Sequence, residues 1–133
     1  MAALSEDNQM IIALENVYER NPRILRRLFD ELRSENICFC FDTGHFNVFS
    51  MEPLNVWLKE LGRYLGHLHL HDNFGQRDEH LPVGRGTFPF DELFQYLTKK
   101  KIKPTVTLEA HNQDNLWKSL TNVRNMGLIN FLK

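Results

Sequence analysis

The chain has little of what marks several common protein classes. It carries two cysteines among 133 residues, too few for a disulfide-stapled domain. They are Cys38 and Cys40, which alternate on one apolar run and so share a face. Cysteines two apart on a strand rarely pair with each other. Both read as reduced, buried thiols, with a metal role as the lesser alternative. No apolar stretch approaches the roughly 20 residues that a membrane span requires. Neither charge dominates: 16 basic against 17 acidic residues leave a net −1. That balance gives no pull toward nucleic acid or an anionic membrane. The opening MAALSEDNQ has neither the basic nor the apolar region of a signal peptide, so the expected location is the cytoplasm. Linkers, low-complexity stretches and strong repeats are missing as well, and the expectation is one domain over residues 1–133.

What is present is an alternation of strands and helices. Four short runs read as strands: Met10–Glu15 (MIIALE), Ile37–Asp42 (ICFCFD), Gly66–Asp72 (GHLHLHD) and Thr105–Glu109 (TVTLE). They are β-branched or aromatic and nearly continuous in apolar character, as parallel strands covered on both faces are. Each is followed by helical spacing. Asn21-Pro22 reads as a cap with proline at the first helical position, ahead of a stripe of Ile24, Leu25, Leu28, Phe29 and Leu32. Ser50–Pro53 opens a second helix with Leu54, Trp57, Leu58 and Leu61 inward. Phe90-Asp91 opens a third with Leu93, Phe94 and Leu97 inward. Asn112–Asp114 opens a fourth with Leu116, Trp117, Leu120 and Val123 inward. The order βαβαβαβα implies α/β architecture with a parallel sheet. The apolar tail Gly127–Lys133 needs something to pack on, whether as a short strand, an anchor on the helices or a subunit contact.

Each strand-like run ends in a group that can bind a metal: Glu15, Asp42, His69 and Glu109. Glu15, Asp42 and His69 follow one another at about the length of one βα unit, roughly 30 residues. Residues at the C-terminal ends of parallel barrel strands converge on one face, where such barrels do chemistry. Taken singly, Glu15 also reads as a helix cap or a surface ion pair, and Asp42 as an Asx turn. Asp42 and His45, separated by Gly44, can face one ion. His67, His69 and His71 alternate with Leu68 and Leu70. Three inward histidines each need partners. His69 is expected as a ligand, with His67 and His71 as supporting or substrate groups. The longest loop, Asn73–Pro89, carries Asp78 and His80, candidates for a second ion or a substrate. There Arg85 can hold an anionic group, and Gly84 and Gly86 permit close backbone approach.

With Glu15-Asn16-Val17, Asp42-Thr43-Gly44-His45, His69 through Asn73, Asp78 through Gly86 and Leu108-Glu109 in this order, the chain resembles the xylose-isomerase-like TIM-barrel superfamily (AP endonuclease family 2). That group contains sugar-phosphate isomerases and epimerases, inosose dehydratase-like enzymes and endonuclease IV. The resemblance implies that Glu15, Asp42, His69 and Glu109 are the ligands of one divalent metal (manganese, zinc, magnesium or cobalt). It implies that Glu15 and Glu109 also form an acid/base pair across a sugar carbon. His45 matches a substrate-binding histidine, or a metal ligand in endonuclease IV, where Asp78 and His80 match further ligands.

A full barrel runs to about 250 residues, so these four βα units form the C-terminal half of a (β/α)8 barrel, starting at what would be the fifth strand. Half a barrel is expected to have two open edges and an apolar concave face, which favour association. A homodimer closing an eight-stranded barrel is the expected assembly, over a fragment or a chain that needs a separate N-terminal partner. The leading functional reading is metal-dependent isomerisation or epimerisation of a sugar or polyol. The alternatives are metal-assisted phosphodiester cleavage at abasic sites, or an inactive half-barrel that only associates. The near-neutral charge makes nucleic acid an unlikely partner.

Overall fold

The structure, a computed structural model, describes residues 10–127. Four parallel strands form one sheet in chain order: β1 (Ile12–Glu15), β2 (Ile37–Asp42), β3 (Leu65–Leu70) and β4 (Thr105–Leu108). Helices α1 (Arg23–Leu32), α3 (Leu54–Leu61), α4 (Phe90–Lys100) and α5 (Gln113–Asn125) follow the strands. This is the βα repeat expected of half a TIM barrel. The tail, apart from Gly127, lies outside the described residues. No described helix is long and apolar enough to cross a membrane.

The core lies between the outer sheet face and the helices. Alternation sends Phe39, Phe41, Leu68 and Leu70 outward to meet Trp57, Leu61, Leu93 and Leu97, all but fully buried. Each such side chain contributes about 1.5–3 kcal/mol through burial. Phe41 sits among the rings of Phe46, Trp57 and Phe88, 5.5, 6.2 and 6.1 Å away between centroids. The cap of α5 follows the sequence, Asn112 Oδ1 accepting from Asn115 N–H; at α1 the cap position falls one residue later, on Pro22, with Asn21 Oδ1 accepting from Arg23 N–H just ahead of the helix.

Four features depart from expectation. A short helix not foreseen, α2 (Thr43–Phe49), follows β2 directly, with Asp42 as its N-cap. Strand β3 ends at Leu70, so His71 and Asp72 lie beyond it; Asp72 makes an antiparallel bridge to Leu81 instead. The concave face is mixed in character rather than uniformly apolar. Ala13, Cys38, Cys40, Gly66, His67 and Thr105 line a cleft of about 570 Å³ there.

The fourth departure concerns the edge helices. Ile24 is 71% exposed and Trp117 57% exposed, and Leu28 and Leu116 are also exposed rather than inward. Their positions explain this. On α1, Arg26 reaches Glu60 and Asp30 reaches Arg63 across the gap to α3 and the turn after it. At 3.6 residues per turn, Ile24 and Leu28 fall on the opposite flank, beyond β1. On α5, Asn122 bonds Val83 O and Ser119 Oγ accepts from Val83 N–H. Trp117 again falls on the far flank, beyond β4. Helical periodicity identified apolar faces, but both faces look past an open edge of the sheet.

Candidate metal centre

Asp42 is placed by its neighbours before any ion is considered. Asn16, 2% exposed, accepts from Asp42 N–H at 2.9 Å and donates to Asp42 O at 3.0 Å. Asp42 Oδ1 accepts from His45 N–H at 2.7 Å, as a helix cap does. The same oxygen lies 2.9 Å from His71 Nε2. Asp42 is therefore both the turn-forming residue and a member of the cluster.

Around it the strand ends converge. Donor atoms of Glu15, Asp42 and His69 lie within 4.8 Å of one another. His69 Nδ1 is 3.5 Å from Glu15, 3.7 Å from Asp42 and 3.0 Å from Glu109 Oε1. All four expected ligands meet at one nitrogen. A second group adjoins it. Asp78 Oδ2 is 3.3 Å from His45 Nε2 and 3.1 Å from His80 Nε2, and His45 Nδ1 is 3.0 Å from Glu15. His71, fully buried, stands between the two groups and stacks on His80 with centroids 3.8 Å apart. His80 in turn stacks on His111.

The loop holding Asp78 and His80 is tied down by Asp72. Its carboxylate accepts from the N–H groups of Asn73, Gly86 and Phe88. A Cβ at Gly86 would lie 2.1 Å from Asn73 O, so this glycine serves the chain's own packing rather than a ligand. His80 has φ 48, a costly left-handed geometry for a residue with a side chain, held here beside the cluster. Arg85 is not brought to it. That residue is exposed, in a separate cleft with Asn122, Asn125 and Met126.

Electrostatics separate the carboxylates. Burial, then the Asp42 charge, pushes the Glu15 pKa up. Burial would raise Asp42 too, but His69 and His71 outweigh it and hold Asp42 well below its usual range. Asp42, followed by smaller contributions including Glu109, pushes His69 up to about 11. Burial lowers His80, aided by His71. Among the described residues, four buried side-chain atoms lack a hydrogen-bond partner: His69 Nδ1, His71 Nδ1, Asp78 Oδ1 and His80 Nδ1. Buried polar atoms are rarely left unpaired. Here all four belong to groups that ligate cations, and the mixed oxygen and nitrogen set suits manganese, zinc, magnesium or cobalt. The residues fit a divalent cation.

Asn16 and Thr43 are positioning residues that motif reasoning passed over. Thr43 Oγ1 donates to His71 O at 2.7 Å, fixing the start of the loop after β3. Their polarity beside buried strand ends was the available signal.

The chain belongs to the xylose isomerase-like TIM barrel family, whose sequence model matches residues 1–125. An uncharacterized protein of Methanocaldococcus jannaschii, MJ1311, is 31% identical over 82% of this chain and 40% of its own length. A probable endonuclease 4 of Mycoplasma mobile is 25% identical over 75% of this chain and 42% of its own. Among solved structures, a D-tagatose 3-epimerase-like protein superposes with a TM-score of 0.82 at 28% identity, over 97% of this chain and 51% of that one. The TTHB071 protein of Thermus thermophilus, soaked with zinc chloride, gives 0.75 at 28% identity, over 94% and 48%. The chain thus spans about half the length of the relatives it matches, or less.

Proposed function

We propose that this chain is the metal-binding half of a sugar or polyol isomerase or epimerase. The observation that carries this reading is the convergence of the Glu15, Asp42 and Glu109 carboxylates on the Nδ1 nitrogen of His69 at the C-terminal ends of four parallel strands. The similarity to an epimerase-like protein supports the substrate class. These four side chains would hold a divalent cation, which supplies polarisation of the substrate's carbonyl and hydroxyl oxygens. Glu15 and Glu109 then act as the acid/base pair. One removes the proton from the carbon beside the carbonyl, and the other returns a proton to the resulting enediolate.

The missing wall of the pocket is the second part of the proposal. A copy rotated by 180° about the barrel axis sets its β4 beside β1 in parallel and brings exposed Trp117 and Leu116 toward exposed Ile24 and Leu28. A closed two-fold ring removes both sheet edges.

The test is solvent-deuterium exchange into ketoses and polyols, followed by proton NMR on manganese-loaded protein. Exchange that is lost in Glu15→Gln and Glu109→Gln supports the reading. A loaded protein that exchanges no substrate in the screen counts against it. A second reading, phosphodiester hydrolysis at abasic sites, draws on the adjoining His45, Asp78 and His80. Two neighbouring cations suit in-line displacement at phosphorus. Nicking of an abasic duplex by the same sample would favour it.

A further inference from the structure

Below the carboxylate cluster, the concave face carries a different donor set. Strands β2 and β3 pair Phe39 with Leu65 and then Cys40 with His67, so the register skips Gly66. Without that bulge Cys40 would face a glycine; with it, a thiol faces an imidazole. A Cβ at Gly66 would sit 2.7 Å from Cys38 Sγ and Cβ, which ties the bulge to a residue lacking a side chain. One donor atom each from Cys40, His67 and His69 lies within 4.8 Å of the others. The rings of His67 and His69 stand at 86° with centroids 5.1 Å apart. All three residues line the open cleft, which admits an ion from solvent.

We propose that Cys40, His67 and His69 form a site for a thiophilic cation of the zinc or copper(I) class, which shares His69 with the carboxylate centre and takes its other two ligands from the cleft below it. One thiolate and two imidazoles suit such ions, whereas magnesium and manganese prefer oxygen. Three protein ligands leave a fourth tetrahedral position open toward the cleft. A slight inward movement brings the donors to the 2.0–2.3 Å bond lengths typical of zinc. The Cys40 thiol gives up its proton on binding, and His67 exchanges a threonine hydroxyl contact, to Thr105 or Thr107, for the metal.

Cadmium chloride is the probe, because a cadmium–thiolate bond gives an ultraviolet charge-transfer band that carboxylate binding does not. The full chain, metal-free and reduced, is titrated and the band followed. It is expected to saturate at one cadmium per chain and to vanish in Cys40→Ser. His67→Gln should weaken binding by at least the roughly tenfold that loss of even an outer partner costs a metal site. Cys38→Ser and Glu109→Gln should both retain the band, and the latter separates this site from the carboxylate centre. A band that survives Cys40→Ser, disappears in Cys38→Ser, or titrates unchanged in His67→Gln overturns the proposal. Circular dichroism checks the fold of each variant. Should Cys40→Ser unfold, His67→Gln, altered at a half-buried position, decides alone.

Discussion

A β-carbon on Gly44 would lie 2.0 Å from Cε1 of His71. The imidazole occupies the place where any other residue would carry its side chain. Gly44→Ala must therefore push His71 away from Asp42. Overpacking of this kind costs about 1–3 kcal/mol, to be read from urea denaturation. Manganese affinity, measured by calorimetry, should fall with it, because His71 helps to hold Asp42 in place. Normal stability and affinity in this variant would show that the His71 ring is free to move.

Asn16 makes no contact with substrate or metal in this scheme, yet its removal should be felt at the centre. Asn16→Ala strips two hydrogen bonds from the buried backbone of Asp42. Unsatisfied buried groups cost about 1–3 kcal/mol each. With two groups left unpaired, a stability loss of about 2–6 kcal/mol, with weaker manganese binding, is expected. Asn16→Asp keeps the acceptor and should recover part of it.

The proton on His69 makes metal binding pH-linked. Its pKa, pushed up to about 11, keeps the ring charged at neutral pH in the metal-free protein. A cation must displace that proton. Manganese affinity should rise with pH through the neutral range, with proton release visible as a buffer-dependent enthalpy. Stability of the metal-free protein runs the other way. The folded pKa exceeds the unfolded value of about 6.5, so the stabilisation is complete below 6.5 and fades as pH climbs toward 11. Asp42, shifted down, draws on the same interaction at the acid end, where it fades as pH falls below the ordinary carboxylate value. His69→Asn should flatten the alkaline decline.

In the proposed two-fold closure the edge helices form the junction. Size-exclusion chromatography with light scattering should give a dimer for the full chain. Trp117→Glu and Ile24→Glu should each shift it toward monomer, since a charge would be carried into an apolar junction. Surface substitutions at the Arg27–Glu31 pair, itself exposed, should leave the mass unchanged and serve as controls. A monomeric wild-type chain would rule out closure by a second copy.

Much of this was legible in the sequence because strand ends carry a simple signature: alternation up to a single polar residue. Glu15 and Asp42 close their strands as that signature predicts and Glu109 directly follows β4, whereas His69 lies one residue inside β3, in a run whose further polar residues, His71 and Asp72, lie beyond the strand. Helix α2 was not legible. TGHFNVF is short, lacks an apolar stripe and reads as turn residues, and its formation depends on Asp42 capping it in three dimensions. The exposure of Ile24 and Trp117 was hidden for another reason. Periodicity reports that a face is apolar, not which neighbour covers it. The mixed character of the concave face was masked too, because Cys38 and Cys40 sit inside an apolar run whose phenylalanines point the other way.

The Asp72 carboxylate grips the loop from Asn73 to Phe88 at three backbone points, and the bridge to Leu81 grips it at a fourth. The stretch from Phe74 to Arg77 forms an outer rim between the first two of these anchors along the chain, with Phe74 turned out to solvent. Exchanging that short rim would change the entrance to the site without touching the anchors that hold Asp78 and His80, so doorway and binding posts belong to different residues of a single loop.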